Sequence, residues 1–355
     1  MLDSYSVIVP VLNERGGIVR TLQSISDSMV YFDDHYPRSV EIHGEVIVVD
    51  EGSTDGTLEL VQECSRANPR LRLVRHHHSL GSGAARNTGV RIACGDVLFY
   101  CDADDLYFRE HIVVGFSLLD TCENAEGVSA EKTRREEENR GSEIDPANRP
   151  IAAVRTGVRF GETILPYWRM AVGNSFPLNL CLRRECHEWM EGFPEEAVYK
   201  RIGGCEDSAY NRCLETFFRV GEIDRETVEH VRRLGNSFDL QMNRFLHPPG
   251  SDFDVPTLES LDLYEIRSRL EEQKIGYLLD KWRVLGAPPL SPELLNWGGV
   301  VEQLFLRQRP GEAVQVAEQA NRYGQAIAEE LMTKIRRPDQ WGVTRVVVPG
   351  PQQQD

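Results

Sequence analysis

Three carboxylates fall within four residues at Asp102-Ala103-Asp104-Asp105. Like charges packed this closely cost free energy unless a cation neutralises them. A hard divalent ion meets that need, because Mg2+ or Mn2+ takes one or two protein carboxylates and fills its shell with water and phosphate oxygens. Asp102 and Asp104 are therefore candidate metal ligands, and such a pair would bridge to a diphosphate. Acidic triplets are also common on solvated loops, so the run gains meaning only from its neighbours.

A second acidic stretch is Asp50-Glu51-Gly52-Ser53-Thr54-Asp55-Gly56. Ser53, Thr54 or Asp55 can cap a following helix, whereas Asp50 and Glu51 can accept hydrogen bonds from a base N–H or a ribose hydroxyl. Further along, Glu206 and Asp207 open a helical pattern. They suit a helix N-terminus electrostatically, and Asp207 is the first choice for a base that takes a proton from a hydroxyl. In Gly81-Ser-Gly-Ala-Ala-Arg-Asn-Thr-Gly89, small residues permit close helix packing while Arg86 and Asn87 are candidates for phosphate or sugar contacts. A dinucleotide fingerprint is excluded, since Arg86 replaces its third glycine and the loop lies several residues past its strand. His76, His77 and His78 are adjacent on an extended segment, so their side chains alternate faces and do not converge on one ion.

The elements that must hold these residues alternate. Ser6 to Leu12 is a β-branched run ended by Asn13 and Glu14, and Ile18, Leu22, Ile25 and Met29 then recur at helical spacing. Glu45–Val49 and Leu71–Val74 read as strands, with a helical pattern at Leu58, Val61 and Cys64 between them. A helix follows Gly81 through Ile92, and Val97–Cys101 is a fourth strand directly before the acidic run. The order predicts an α/β fold, a mainly parallel sheet sandwiched by helices. Ligands of such sheets sit at the carboxyl ends of the strands, so the loops of Asn13, Asp50, Gly81 and Asp102 should converge on one edge.

Residues Glu123–Arg149 carry eight acids, five bases and no aromatic residue, the composition of a mobile surface loop. A strand at Ile151–Thr156, the aromatic stretch Leu165-Pro-Tyr-Trp168 and a helix near Ser208–Phe218 follow. After Phe245, HPPGSDFDVP reads as a linker to a helical appendage that includes Leu258, Leu261, Tyr264, Leu270, Leu278 and Trp282.

The 355 residues carry a formal net charge of -16, which excludes broad nucleic-acid binding. No apolar run reaches the roughly 18 residues of a membrane span, and MLDSYSVIVPVLNE lacks the order of a signal peptide. The expectation is a cytoplasmic protein, compatible with peripheral membrane contact. The eight cysteines include no CxxC pair, so reduced, mostly buried thiols are expected.

Taken in order, VIVPVLNE at 7–14, VVDEGSTDGT at 48–57, GAARNTG at 83–89 and DADD at 102–105 resemble the four N-terminal signatures of the family 2 glycosyltransferases with the GT-A fold. NSFPLNLCLRRECHEWMEGFPE at 174–195 is similar to that family's acceptor segment, and CEDSAYNRCL at 205–214 to its base motif. The stretch VEHVRRLGNSFDL at 228–240 extends the likeness, which covers residues 5–240.

The resemblance implies that Pro10, Asn13 and Glu14 border the nucleotide and that Asp50 and Glu51 lie near the base, with Asp50-Glu51 standing where the family often has two aspartates. It places Asp102 and Asp104 at the metal diphosphate, Asp207 or its neighbour Glu206 as general base, and Arg233 or His230 by the leaving phosphates. The chain is expected to divide into a GT-A domain at 1–245, a helical C-terminal appendage at 246–340 that lies outside the resemblance, and a tail at 341–355. The first comprises a nucleotide-sugar half (1–122), the charged loop (123–150) and an acceptor half (151–245). The expected function is inverting, Mn2+- or Mg2+-assisted transfer from a nucleoside diphosphate sugar, UDP-sugar favoured, to an acceptor hydroxyl of a glycan, lipid or small molecule. A homo-oligomer through the C-terminal helices is compatible with this. The alternatives are an inactive nucleotide-sugar-binding adaptor, against which DADD and Glu206-Asp207 count, and a sugar-phosphate nucleotidyltransferase, whose basic Gly-rich loop VPVLNERGG does not match.

Overall fold

The structure is a computed structural model and describes residues 2–120, 151–160, 173, 175–202, 204–231 and 258–285. The charged loop 123–149, the aromatic stretch 165–168, the linker after Phe245, Arg233, the appendage beyond residue 285 and the tail lie outside the described residues. All described residues fall in one compact unit, Met1–Ser237 with Pro256–Leu295.

The chain alternates as its sequence pattern predicts: β1 (Ser4–Val11), α1 (Ile18–His35), β2 (His43–Asp50), α2 (Thr57–Ala67), β3 (Leu71–Arg75), α3 (Ser82–Ile92) and β4 (Val97–Tyr100). Strand β5 (Leu106–Tyr107) precedes a helical stretch at 111–120. The second half supplies β6 (Ile151–Phe160), β7 (Leu180–Arg183), α4 (Arg184–Trp189), α5 (Ala197–Ile202), α6 (Glu206–Phe217), β8 (Arg219–His230) and α7 (Leu258–Leu285).

One eight-stranded sheet runs in the order β3-β2-β1-β4-β7-β6-β8-β5. Its first four strands are parallel, as expected. The rest is mixed, because β7 runs antiparallel to both β4 and β6 and β5 runs antiparallel to β8, while β6 and β8 are parallel. Successive residues of a strand face opposite layers: Val46 and Val48 join one core with α1, and Ile47 and Val49 join the other with α3, α4 and α6. Both faces are therefore apolar, which is why the parallel strands read as continuous rather than alternating runs.

In α1, Ile18, Leu22, Ile25, Met29 and Phe32 are all buried on the sheet, the stripe expected at helical spacing. On the opposite layer α3 approaches so closely that a Cβ on Gly89 would stand 2.5 Å from Ile8 Cγ2 and 3.5 Å from Val49 Cγ2. Small residues in this helix thus do permit tight packing. The long helix α7 docks on the same layer: Leu278 is fully buried there, Arg212 of α6 donates to Glu271 at 3.2 Å, and Lys281 donates to the Trp189 carbonyl at 2.8 Å.

The seven described cysteines are free thiols. Cys101, Cys181, Cys186 and Cys213 are buried, in line with mostly buried thiols, but Cys94 is exposed, because α3 has ended and the chain turns at the surface before β4. No described helix is long and apolar enough to cross a membrane.

Replacing Gly89 with Ala should overpack the α3–β1 contact and cost about 1–3 kcal/mol, read as a lower urea midpoint at unchanged m-value.

Candidate active site

The carboxyl edge of β1 and β2 is built by side chains that staple loops together. Pro10 lies in β1, a central strand, where a missing N–H would normally break the ladder. Ile8 accepts from Cys101 N at 3.0 Å, and Pro10 faces the same side two residues on, beyond the last β1–β4 pair at Ile8 and Tyr100. No ladder bond is lost, and β1 overruns β4. Asn13 adopts φ +54, a left-handed conformation Asn tolerates. Its backbone N–H donates to Ser53 Oγ at 2.9 Å, its Oδ1 accepts from Thr54 N at 2.9 Å, and Glu14 N donates to Thr57 Oγ1 at 2.8 Å. Asp55 serves the start of α2, accepting from Thr57 N at 3.0 Å.

Asp50 and Glu51 are both buried. Asp50 accepts from Ser53 N and pairs with Arg75 Nε at 3.2 Å. Glu51 Oε2 accepts from Ser79 Oγ and from Gly81 N, each at 2.8 Å, and so ties the β2 loop to the entry of α3. His76 contacts Thr88 Oγ1 through Nε2 at 3.0 Å, while His77 and His78 are exposed, matching a solvated strand end.

The acidic run divides its three carboxylates among different tasks. Asp105 is buried and accepts from His230 Nδ1 and Val231 N, each at 2.9 Å. Burial pushes its carboxyl up despite the His230 bond; at His230 burial pulls the other way, and the Asp105 bond together with the charges of Asp105, Asp104 and Asp102 pushes the imidazole up. Thr21 of α1 holds the turn from below, its Oγ1 lying 2.9 Å from both the Ala103 and the Asp105 carbonyls. Asp104 is half-buried. Asp102 is 38% exposed, and its Oδ1 accepts from Arg86 Nη2 at 2.7 Å.

Arg86 is the junction of the site. It is buried in α3, and its Nη1 donates to Glu206 Oε1 at 2.9 Å. Burial alone would push the guanidinium down, but the Asp102 and Glu206 charges outweigh it and hold Arg86 charged. Glu206 also accepts from Ser82 Oγ. The helix α6 starts from Cys205 at φ +75 with no side-chain cap, so neither carboxylate is its N-cap.

Asp207, the next residue, is half-buried, and its Oδ1 accepts from Ser208 N at 2.7 Å. No described hydrogen bond engages its Oδ2. Desolvation and the Glu206 charge push its carboxyl up to about 7, against the opposing pull of Arg86. Asn87 faces elsewhere. It brackets the turn before α5, accepting from Phe193 N at 2.8 Å and donating to the Phe193 carbonyl at 2.9 Å and to Glu195 at 2.7 Å.

Residues 6–151 match the family model described as glycosyl transferase family 2. That segment is a family 2 glycosyltransferase region. Glycosyltransferase AglE of Haloferax volcanii is 38% identical over 118 residues, 33% of this chain and 36% of that protein. The putative teichuronic acid biosynthesis glycosyltransferase TuaG of Bacillus subtilis is 31% identical over 107 residues, 30% of this chain and 38% of the relative. The aligned part thus spans little more than a third of each. Among solved structures, S. aureus TarS 1–349 in complex with UDP-GlcNAc aligns with a TM-score of 0.50 at 15% identity, covering 97% of this chain and 93% of that one. The likeness is one of fold, and the fold is GT-A.

The structure brings Asp102, Arg86, Glu206 and Asp207 together across α3, with Asp50, Glu51 and Asn13 at the nearby ends of β2 and β1, while Asn87 of α3 serves the Phe193 turn instead. Sequence reasoning did not find Thr21, which with Ser28 is a small polar residue within the largely apolar buried face of α1, nor Asp105 as the buried member of the run. Arg86→Met should leave Glu206 buried without its cation and cost about 3–5 kcal/mol, measured by denaturant unfolding, whereas Asn13→Ala should cost about 1 kcal/mol for its lost loop bonds.

Proposed function

We propose that the chain is an inverting glycosyltransferase that moves a sugar from a nucleoside diphosphate sugar to an acceptor hydroxyl. The observation that carries this reading is the placement of Asp207 beside the Asp102–Arg86–Glu206 bridge, with a carboxyl pushed up to about 7. A base that ionises near neutral pH is matched to taking a hydroxyl proton. A fold neighbour that holds UDP-GlcNAc is consistent with a UDP-sugar donor.

The acceptor oxygen attacks the anomeric carbon as its proton passes to Asp207. The bond from that carbon to the diphosphate breaks on the opposite face, and its electron pair leaves with the nucleoside diphosphate. One displacement inverts the configuration. Glu206, bonded by Arg86 and Ser82, serves as a fixed charge, which supports Asp207 rather than Glu206 as the base.

The donor set fits a divalent cation. Among the described residues no three or more His, Cys, Asp or Glu side chains form a metal cage. One or two carboxylates with ligand oxygens are the arrangement Mg2+ and Mn2+ accept. Asp102 keeps Oδ2 outside the described hydrogen bonds, and Asp104 stands half-buried on the same turn. These two would hold the ion, which when bound neutralises charge on the leaving diphosphate.

Asp207→Asn should lower transfer by about 10^2- to 10^4-fold while calorimetry with UDP and Mn2+ finds donor-site binding retained; full activity in this variant removes Asp207 as base. In the native chain, kcat/KM for the acceptor should rise with pH to a plateau, since the active form is the carboxylate, with a midpoint near the value of about 7. Binding of a nucleotide sugar with no turnover across a panel of donors and acceptors would instead favour an adaptor.

A further inference from the structure

Among the described residues, Arg155 is a buried cation without a bonded carboxylate. It lies in β6, is 2% exposed, and its bonded partners are all neutral acceptors. Nη1 donates to the Phe176 carbonyl at 2.8 Å and to Asn179 Oδ1 at 3.0 Å, Nη2 donates to Asn211 Oδ1, and buried Nε has no hydrogen-bond partner. Burial pushes the guanidinium down, and non-bonded groups, Glu215, Glu222, Asp207 and Cys181, oppose this. A charge held this way is expensive, and an apolar residue of similar volume would fill β6 at lower cost.

What the fork joins explains its use. Asn211 lies one helical turn after Asp207 in α6, on the same face at i+4. Asn179 binds the Thr156 carbonyl at 2.7 Å and the Gly173 carbonyl at 2.9 Å, which fixes the short approach to β7 against β6. Phe176, whose carbonyl Arg155 holds, packs its ring 5.0 Å from the His230 imidazole, and His230 binds Asp105 at the end of the acidic run. The Arg155 fork thus links the turn of α6 below Asp207 to the elements bracing the Asp102–Asp105 turn. It does so by a route separate from Arg86.

We infer that Arg155 is a positioning residue that sets the base helix against the acidic run through Asn211 on one side and the Phe176–Asn179 segment on the other. The inference rests on the transferase reading. A base displaced by about an ångström slows chemistry while donor binding persists.

The test is a double-substitution cycle with Arg155→Met and Asn211→Leu, scored by kcat, by donor KM and by UDP–Mn2+ calorimetry. Each single variant should lose about tenfold or more in kcat, with donor KM within about twofold and a binding stoichiometry that reports a fully folded site. The two act in one link, so the double variant should be no slower than the worse single variant. Arg155→Lys, which keeps the charge but not the fork, should fall between. Fully additive losses in kcat, or a wild-type kcat in Arg155→Met, would overturn the inference. Lower stoichiometry with unchanged kcat per folded site would also overturn it, by showing a stability role alone. A native chain that transfers no sugar refutes the underlying reading instead, and the inference with it.

Discussion

The arrangement of the site depends on one buried guanidinium. Arg86 stands between Asp102, at the carboxyl end of β4, and Glu206, at the start of α6. These residues lie more than a hundred positions apart in the chain, and the sheet alone does not fix how far α6 stands from β4. A pair of short charge-assisted hydrogen bonds from one planar fork does, because its two donors have fixed directions. Removing the cation would leave two carboxylates facing one another in a partly desolvated space, where like charges repel strongly.

The bridge works only if α3 is held close to the sheet. Glycine at 89 lets that helix rest on Ile8 and Val49, and a Cβ on Gly83 would stand 2.7 Å from the Pro194 carbonyl. The turn bracketed by Asn87 brings Phe193 under the Arg86 guanidinium, 5.3 Å from the ring centroid, and stacks it on Tyr210 of α6. Helix packing, an aromatic contact and a buried ion pair therefore specify the same distance. Consistency of this kind across levels favours one arrangement over its competitors.

Much of this was legible before the structure. The four parallel strands are continuous runs of branched residues and the loops after them carry the polar signatures, so both the sheet and its functional edge follow from local pattern. The second half was less legible for physical reasons. Strand β7 has four residues, β5 has two, and β8 carries Glu222, Arg225, Glu226 and Glu229, with buried Thr227 and Val228 among them. Such segments become strands through partners remote in sequence. Pairing is equally invisible: Arg86 could be singled out as functional, but that its described partners are Asp102 and Glu206 depends on tertiary distance. The helix α7 was recognisable by its apolar positions, yet its docking on α6 through Glu271 and Leu278 had no local sign.

The adjacent acids Glu206 and Asp207 illustrate how one fold gives two carboxylates different tasks. They follow each other in the chain and share a helix terminus, so sequence treats them alike. Glu206 receives a guanidinium and a hydroxyl, and these bonds hold its carboxylate in place. Asp207 receives a single backbone N–H and stands in the field of its ionised neighbour. Burial, and after it that field, make Asp207 costly to ionise and correspondingly ready to bind a proton near neutral pH. A carboxyl whose surroundings bring it toward neutral pH in this way is suited to acid–base work in enzymes generally. Here Arg86 opposes the shift, so the raised Asp207 carboxyl follows from its burial first and from the Glu206 charge second.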